Sequence, residues 1–157
     1  MKNEKKILAI GCDHGGYELK EFIKDMLDAD NIEYRDFGCD GESVNYPDYA
    51  DKVCRAIQSG ECYRGILVCG TGIGMSMAAN KHAGIRAACC SDTYSARMTR
   101  QHNDANVLCL GAKIIGGMIA MEIVKTFMAT PPLTAEKYVR RVKKVQKIND
   151  EHCVPVK

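Results

Sequence analysis

The chain holds 157 residues, 46% of them apolar and 27% charged, which is enough for one globular domain with a core of its own. Its 22 basic residues against 20 acidic ones leave a net charge of +2, so overall charge does not mark it as a polyanion binder. No apolar run approaches the roughly 20 residues of a membrane span, and residues 1–6 lead into a strand-like segment rather than a signal peptide, so a cytoplasmic protein with no membrane partner is expected.

Residues 6–12 read as a strand, and residues 15–29 as a helix because Leu19, Phe22, Ile23, Met26 and Leu27 recur at helical spacing. A second strand is expected over 33–38. The turn-rich stretch 38–47 follows as a loop, with Pro47 in the first turn of a helix that carries Tyr49, Val53 and Ile57 and that Gly60 stops. Residues 64–69 then read as strand, 73–81 as helix, 85–90 as strand, 92–101 as helix and 105–110 as a fifth strand. A helix over 115–128 ends before Thr130-Pro131-Pro132, and a last one takes Thr134 as its N-cap and runs into the 140s.

Strands alternating with helices predict an α/β fold, a Rossmann-like three-layer sandwich with a five-stranded parallel sheet and an extended C-terminal helix. Residues 1–133 form the α/β domain in this reading, and 134–157 the helix and tail. Ligands of such sheets bind outside the carboxyl ends of the strands. Three segments are expected at that edge: Cys12-Asp13-His14-Gly15-Gly16, Cys69-Gly70-Thr71-Gly72-Ile73-Gly74 and His102-Asn103-Asp104. Each also has a purely structural reading. Asp13 suits an N-cap, His102 and Asn103 suit a helix C-terminus, and Cys69 suits a buried strand.

The glycine loop departs from the dinucleotide fingerprint, because Met75 stands where that pattern needs Gly or Ala. No Gly-Lys-Ser/Thr follows, which excludes a P-loop. What remains is a run of small residues whose amides point at a helix start, a site for an anion or a developing oxyanion. A cysteine at its mouth feels the same positive field, which favours the thiolate and points to a base beside an anion hole. The nine cysteines lie scattered through apolar segments with no C-x-x-C pair, so most read as small buried hydrophobes rather than a disulfide framework or zinc cage.

Six ordered segments carry a resemblance. They are Gly11-Cys12-Asp13-His14-Gly15-Gly16, Asn45-Tyr46-Pro47-Asp48-Tyr49-Ala50, Cys69 to Ser76, Ala78-Ala79-Asn80-Lys81, Gly84-Ile85-Arg86-Ala87-Ala88 and Arg100 to Leu108. Together they resemble the type B ribose-5-phosphate isomerases, within the wider family that includes the galactose-6-phosphate isomerase subunits. The resemblance implies an aldose–ketose isomerase that interconverts D-ribose 5-phosphate and D-ribulose 5-phosphate, with an isomerase of a hexose 6-phosphate or a non-catalytic sugar-phosphate binder as the alternatives, and with no cofactor and no metal. By family similarity Cys69 is the general base, the amides of Gly70, Gly72, Ile73 and Gly74 hold the enediolate, and Thr71 helps move protons between its oxygens. His102 opens the sugar ring, Asp13 binds hydroxyls, and His14, Tyr46 and Asn103 line the pocket. The resemblance further implies a homodimer or a dimer of dimers. Its site lies between subunits, with the C-terminal helix packed on the partner and the histidine loop and phosphate-binding residues supplied by the neighbour.

The phosphate end departs from the family pattern. Lys113 and Lys137 stand where arginine is usual and Tyr138 where histidine is usual, while Arg141 is retained. Lysine binds phosphate as a point charge and lacks the two-pronged grip of arginine. Lys137 and Arg141 are four apart and share a helix face. From 134 to 157 seven basic residues face three acidic ones, yet no aromatic platform or zinc pattern accompanies them, so no nucleic-acid partner is expected.

Overall fold

In a computed structural model, which describes residues 6–152, the chain alternates strand and helix throughout. The elements are β1 (Leu8–Cys12), α1 (Tyr17–Ala29), β2 (Tyr34–Asp36), α2 (Tyr46–Gln58), β3 (Arg64–Cys69), α3 (Ile73–Ala79), β4 (Ala87–Cys89), α4 (Thr93–Asn103), β5 (Val107–Gly111), α5 (Gly117–Ala129) and α6 (Glu136–His152). A 3-10 turn over His14–Gly16 precedes α1. Two boundaries differ from expectation in ways that matter below. Helix α4 runs past Gln101 and takes His102 and Asn103 into its last turn. Helix α6 starts with Ala135, not Thr134, as the residue whose carbonyl accepts the first amides, those of Tyr138 and Val139.

The strands are all parallel, in the order β2-β1-β3-β5-β4. Side chains alternate across the sheet, so Leu8, Ile10, Ile66, Val68, Leu108 and Leu110 pack against α1 and α5, while Ala9, Leu67, Cys69, Val107 and Cys109 face α2 and α3. Right-handed crossovers produce this sorting. The chain runs outward from β1 to β2 and then back across to β3, so the first two crossover helices lie on opposite faces and a crevice opens between β1 and β3 at their carboxyl ends.

Parallel topology also corrects one expectation. A loop that follows a strand lies at the carboxyl edge of the sheet, but a loop that follows a helix lies at the amino edge. His102-Asn103-Asp104 follows α4, so it sits at the edge opposite Cys69. Helix α4 rises about 1.5 Å per residue, which carries His102 ~14 Å back from the end at which α4 starts.

The expected N- and C-terminal readings of residues 1–5, Cys153 and Lys157 lie outside the described residues. Among the described residues no helix is long and apolar enough to cross a membrane, and every cysteine is a free thiol, all buried except Cys89.

One buried charge ties the first crossover together. Lys20 has no exposed surface, and its Nζ donates to both oxygens of Asp36, at 2.9 and 2.8 Å, and to the Cys39 carbonyl at 3.0 Å. Burial opposes ionisation of Asp36, but hydrogen bonds from Lys20 and Lys24 outweigh it and hold the carboxyl below its usual range. A carboxylate with a depressed folded pKa adds stability that is complete above its unfolded pKa of about 3.9 and fades as pH falls through the folded value. Lys20→Met is expected to lower unfolding stability by about 2–3 kcal/mol at pH 7, and by less as the pH drops below about 4. Urea melts of both proteins at pH 7 and pH 3 read the two values, and a constant difference would remove the ion pair as its cause.

Candidate active site

The crevice between β1 and β3 is built by two loops pressed together. The Asp13 amide donates to the Val68 carbonyl at 3.2 Å, and Gly16 lies so close that a side-chain carbon there would stand 2.3 Å from the same oxygen. Only glycine lets the turn after β1 approach this near. Asp13 does cap that turn, its Oδ1 accepting from the Gly16 amide at 3.1 Å, which leaves Oδ2 for another partner. His14 is exposed, with Nδ1 accepting from the Val44 amide at 3.4 Å. Beside it opens a cleft of about 620 Å³ whose lining includes His14, Gly15, Tyr17, Glu18 and Lys113.

Cys69 ends β3 with 5% of its surface exposed, and the Gly72 amide donates to its Sγ at 3.1 Å. Gly72 has φ 79°, the left-handed region, and a side-chain carbon there would meet Cys89 Sγ at 2.9 Å and the Leu110 carbonyl carbon at 2.9 Å. The loop thus turns back on its own cysteine. The amide of Ile73 is also engaged, donating to Thr71 Oγ1 at 3.3 Å. The amides of Gly74 and Met75 lie in the first turn of α3, where no intrahelical carbonyl reaches them. Met75 was not among the expected site residues; its side chain is buried in the core on the α2 and α3 face. Gly74 is small because the Tyr46 ring lies over it, 2.9 Å from where a side-chain carbon would be. Lys113 belongs to the same half, its amide donating to the Gly70 carbonyl at 2.9 Å and its side chain running over Gly70.

At the opposite edge a second set gathers. The imidazole of His102 stacks on Tyr138 of α6, with ring centroids 4.8 Å apart and planes 11° apart. Lys137 Nζ lies 4.9 Å and the Arg141 guanidinium 5.9 Å from the centre of that tyrosine ring, so the two cations share a face as their spacing implied. His102, Asn103 and Arg141 line a groove of about 580 Å³ together with Arg86 and Thr99. Arg140 faces elsewhere, pairing with Glu136 at 3.5 Å and lining a groove with Lys143, Lys144 and Lys147. The expected phosphate set is therefore split within one chain: Lys113 stands with Cys69, and Lys137 and Arg141 stand with His102.

The other thiols are poor candidates for the chemistry. Burial pushes Cys12 and Cys54 up to about 12 and Cys90 to about 11, so they stay protonated at neutral pH. Cys89 was not singled out from sequence, where it read as one more strand cysteine. It is exposed and its Sγ donates to the Thr71 carbonyl at 3.5 Å, while burial of the sulfur and the neighbouring Cys69 raise its pKa. Asn80, which the resemblance included, serves structure: its side chain bridges the end of α3 to the Ala87 amide and carbonyl, each at 2.9 Å. Among the described residues no group of three His, Cys, Asp or Glu side chains is placed to hold a metal ion.

Residues 8–145 match the profile of the family described as Ribose/Galactose Isomerase. Ribose-5-phosphate isomerase B of Escherichia coli is 48% identical over 124 residues, covering 78% of this chain and 83% of its own length. D-erythrulose-4-phosphate isomerase of Pectobacterium atrosepticum is 46% identical over 123 residues, covering 77% of this chain and 81% of its own. The solved structure of Clostridium thermocellum ribose-5-phosphate isomerase B superposes with a TM-score of 0.90 at 48% identity, covering 93% of this chain and 99% of that one. A profile match across most of the length, joined to relatives near half identity, means that this chain belongs to the ribose/galactose isomerase family.

Proposed function

We propose that this protein interconverts D-ribose 5-phosphate and D-ribulose 5-phosphate, with the site assembled from two copies of the chain. The observation that carries the chemistry is the Cys69 sulfur held at 3.1 Å by the Gly72 amide at the switch-point crevice, in a chain whose relatives include enzymes named for ribose 5-phosphate. Open-chain ribose 5-phosphate presents its C2 proton to the Cys69 thiolate. The electron pair left on C2 forms the enediolate, whose oxygens take hydrogen bonds from the loop amides and the Thr71 hydroxyl. The Thr71 hydroxyl takes the proton of O2 and hands its own to O1, and the same sulfur returns the abstracted proton to C1, which leaves C2 as the carbonyl of ribulose 5-phosphate. His102 moves the proton between ring oxygen and anomeric hydroxyl in the preceding ring opening, and Asn103 and Asp13 orient the chain of hydroxyls.

One chain holds Cys69 and His102 on opposite edges of its sheet, which supports a second copy as the donor of His102, Asn103, Lys137 and Arg141. Exposed apolar side chains support it too: Ile73 and Met77 flank the Cys69 loop at 52% and 62% exposure, and Val145 and Ile148 of α6 stand at 53% and 60%, surface that a partner would cover. In this assembly 1–133 is the α/β domain and 134–157 packs on the partner, as a homodimer or a dimer of dimers. Free thiols throughout the described residues fit a reducing, cytoplasmic setting.

Proton NMR of ribose 5-phosphate with the purified protein in D2O tests the substrate. Ribulose 5-phosphate carrying deuterium at C1 is expected. A relative 46% identical is named for a four-carbon sugar phosphate, and lysines replace arginines at the phosphate end here. If ribose 5-phosphate is inert while D-erythrulose 4-phosphate or a hexose 6-phosphate turns over, chain length has been misassigned and the proton-transfer site stands.

A further inference from the structure

Arg86 stands one residue before β4, and its side chain crosses to the end of α4. Its Nε donates to the Asn103 carbonyl at 3.1 Å and the Asp104 carbonyl at 2.9 Å, and its Nη2 donates to Asp104 Oδ2 at 3.1 Å. The other carboxylate oxygen of Asp104 accepts from Arg100 Nη1 at 2.8 Å. Arg100 is 2% exposed and also donates to the carbonyls of Ala105 and, at 3.2 Å, Thr130. Asp104 has φ 47°, so an aspartate takes the left-handed position at which a helix usually ends in glycine.

This arrangement does more than stop a helix. The last carbonyls of a helix have no amide of their own to meet, and one guanidinium takes two of them immediately beyond His102. A carboxylate held from both sides then locks the backbone turn, because either arginine alone would leave one oxygen free to swing. The frame reaches α6 as well. Arg100 holds Thr130, and the Leu133 amide donates to the Gln101 carbonyl at 3.0 Å, so the segment leading to Lys137, Tyr138 and Arg141 is anchored to the same turn. Nothing in the proton transfer at Cys69 calls for these groups, which lie at the other edge of the sheet.

We propose that Arg86 and Asp104 are positioning residues for ring opening: clamped between Arg86 and Arg100, Asp104 holds His102 and Asn103 of α4 in place for the closed-ring substrate. This rests on the reading of His102 as the ring-opening group. Its distinctive consequence is a split between two reactions. Ribose 5-phosphate is mostly a closed ring and must be opened. Ribulose 5-phosphate cannot close a five-membered ring because its C5 oxygen carries the phosphate, so exchange of its C1 proton with D2O needs Cys69 and no ring opening.

Both rates are measured by NMR, together with thermal melts, for the wild type, Arg86→Lys, Arg86→Gln and Asp104→Asn. Asparagine tolerates the left-handed conformation, so the last change removes charge without straining the turn. At saturating substrate, ribose 5-phosphate conversion is expected to fall about 10- to 100-fold in Arg86→Gln and Asp104→Asn while C1 exchange stays within about a factor of three of wild type, because any grip on hydroxyls or phosphate lost to both substrates raises KM and not these saturated rates. Arg86→Lys is expected to recover part of the loss, since one ammonium can satisfy some but not all of the acceptors. Equal losses in both reactions, with lowered melting temperatures, would make the clamp a fold element only and overturn the proposal. Unchanged conversion in all three variants would overturn it as well. If Arg86→Gln fails to fold, Arg86→Lys and Asp104→Asn decide by the same split. A wild-type protein that catalyses neither reaction overturns the ribose reading and the positioning role together, whereas wild-type activity without the split overturns the positioning role alone.

Discussion

Cys69→Ala is expected to abolish both ribose 5-phosphate conversion and C1 exchange of ribulose 5-phosphate, a loss of about 10²–10⁴-fold, while the protein still folds and binds substrate. Both reactions break a carbon–hydrogen bond, and the Cys69 sulfur is the one held by the Gly72 amide of the glycine loop. Cys69 is buried, but its sulfur is a small group, and its removal costs folding only about 1 kcal/mol. Cys89 does not substitute. Its thiol is committed to the Thr71 carbonyl and its pKa is raised by burial and by Cys69. The two rates, read with ligand-induced shifts in melting temperature, separate the outcomes: lost catalysis with retained stabilisation by substrate is the expected pair. Exchange at the wild-type rate would move the base to another residue.

Mixing two inactive variants is expected to restore activity. In a dimer of Cys69→Ala with His102→Ala, one site carries both lesions and the other carries an intact Cys69 from one copy with an intact His102 from the other. Random pairing makes half of the dimers mixed, so activity on ribose 5-phosphate should recover to about a quarter of wild type, which is the statistical limit for a two-fold assembly. The reason is geometric. Helix α4 runs from the carboxyl edge of the sheet to the amino edge, and its His102 cannot return to Cys69 without breaking the packing of α4 on α5. Unfolding and refolding the variants together, then comparing them with each alone, reads the outcome. No recovery above the separate variants would mean that each chain works by itself or that another residue opens the ring. His102→Ala alone should lose far more ribose 5-phosphate conversion than C1 exchange, and this is the same split expected of the Arg86 clamp.

Much of this was legible in the residues. Hydrophobic periodicity placed β3 at its observed bounds and all the crossover helices within a few residues, because apolar faces must meet the sheet whatever the rest of the chain does. Cys69 at a strand end, glycines that permit a left-handed turn, and Asp13 as a cap are all local properties, and each is found where local rules put it. The edge assigned to His102 was wrong for an avoidable reason. In a parallel sheet every helix runs antiparallel to the strands, so a residue that follows a helix and precedes a strand belongs at the amino edge. The Thr134 cap was wrong because Ser/Thr preference is weak beside the anchoring of the 130–133 segment to α4.

Other features had no local signal. Arg86, Asp104 and Arg100 are spread over nineteen positions of sequence, and nothing in their spacing shows that they share one carboxylate. Tyr138 reads as a departure from a family pattern until it is found stacked on His102, with Lys137 and Arg141 around its ring.

The sequence by itself therefore determined the layer architecture, the cysteine that ends β3 and its glycine loop, because hydrophobic period, turn stereochemistry and capping act over a few neighbouring residues. Only the tertiary structure decided which groups line one groove, which cations gather on one ring, and which two arginines share the Asp104 carboxylate. Those outcomes depend on strand order and helix direction, which place residues distant in sequence against one another and which no short stretch of the chain encodes.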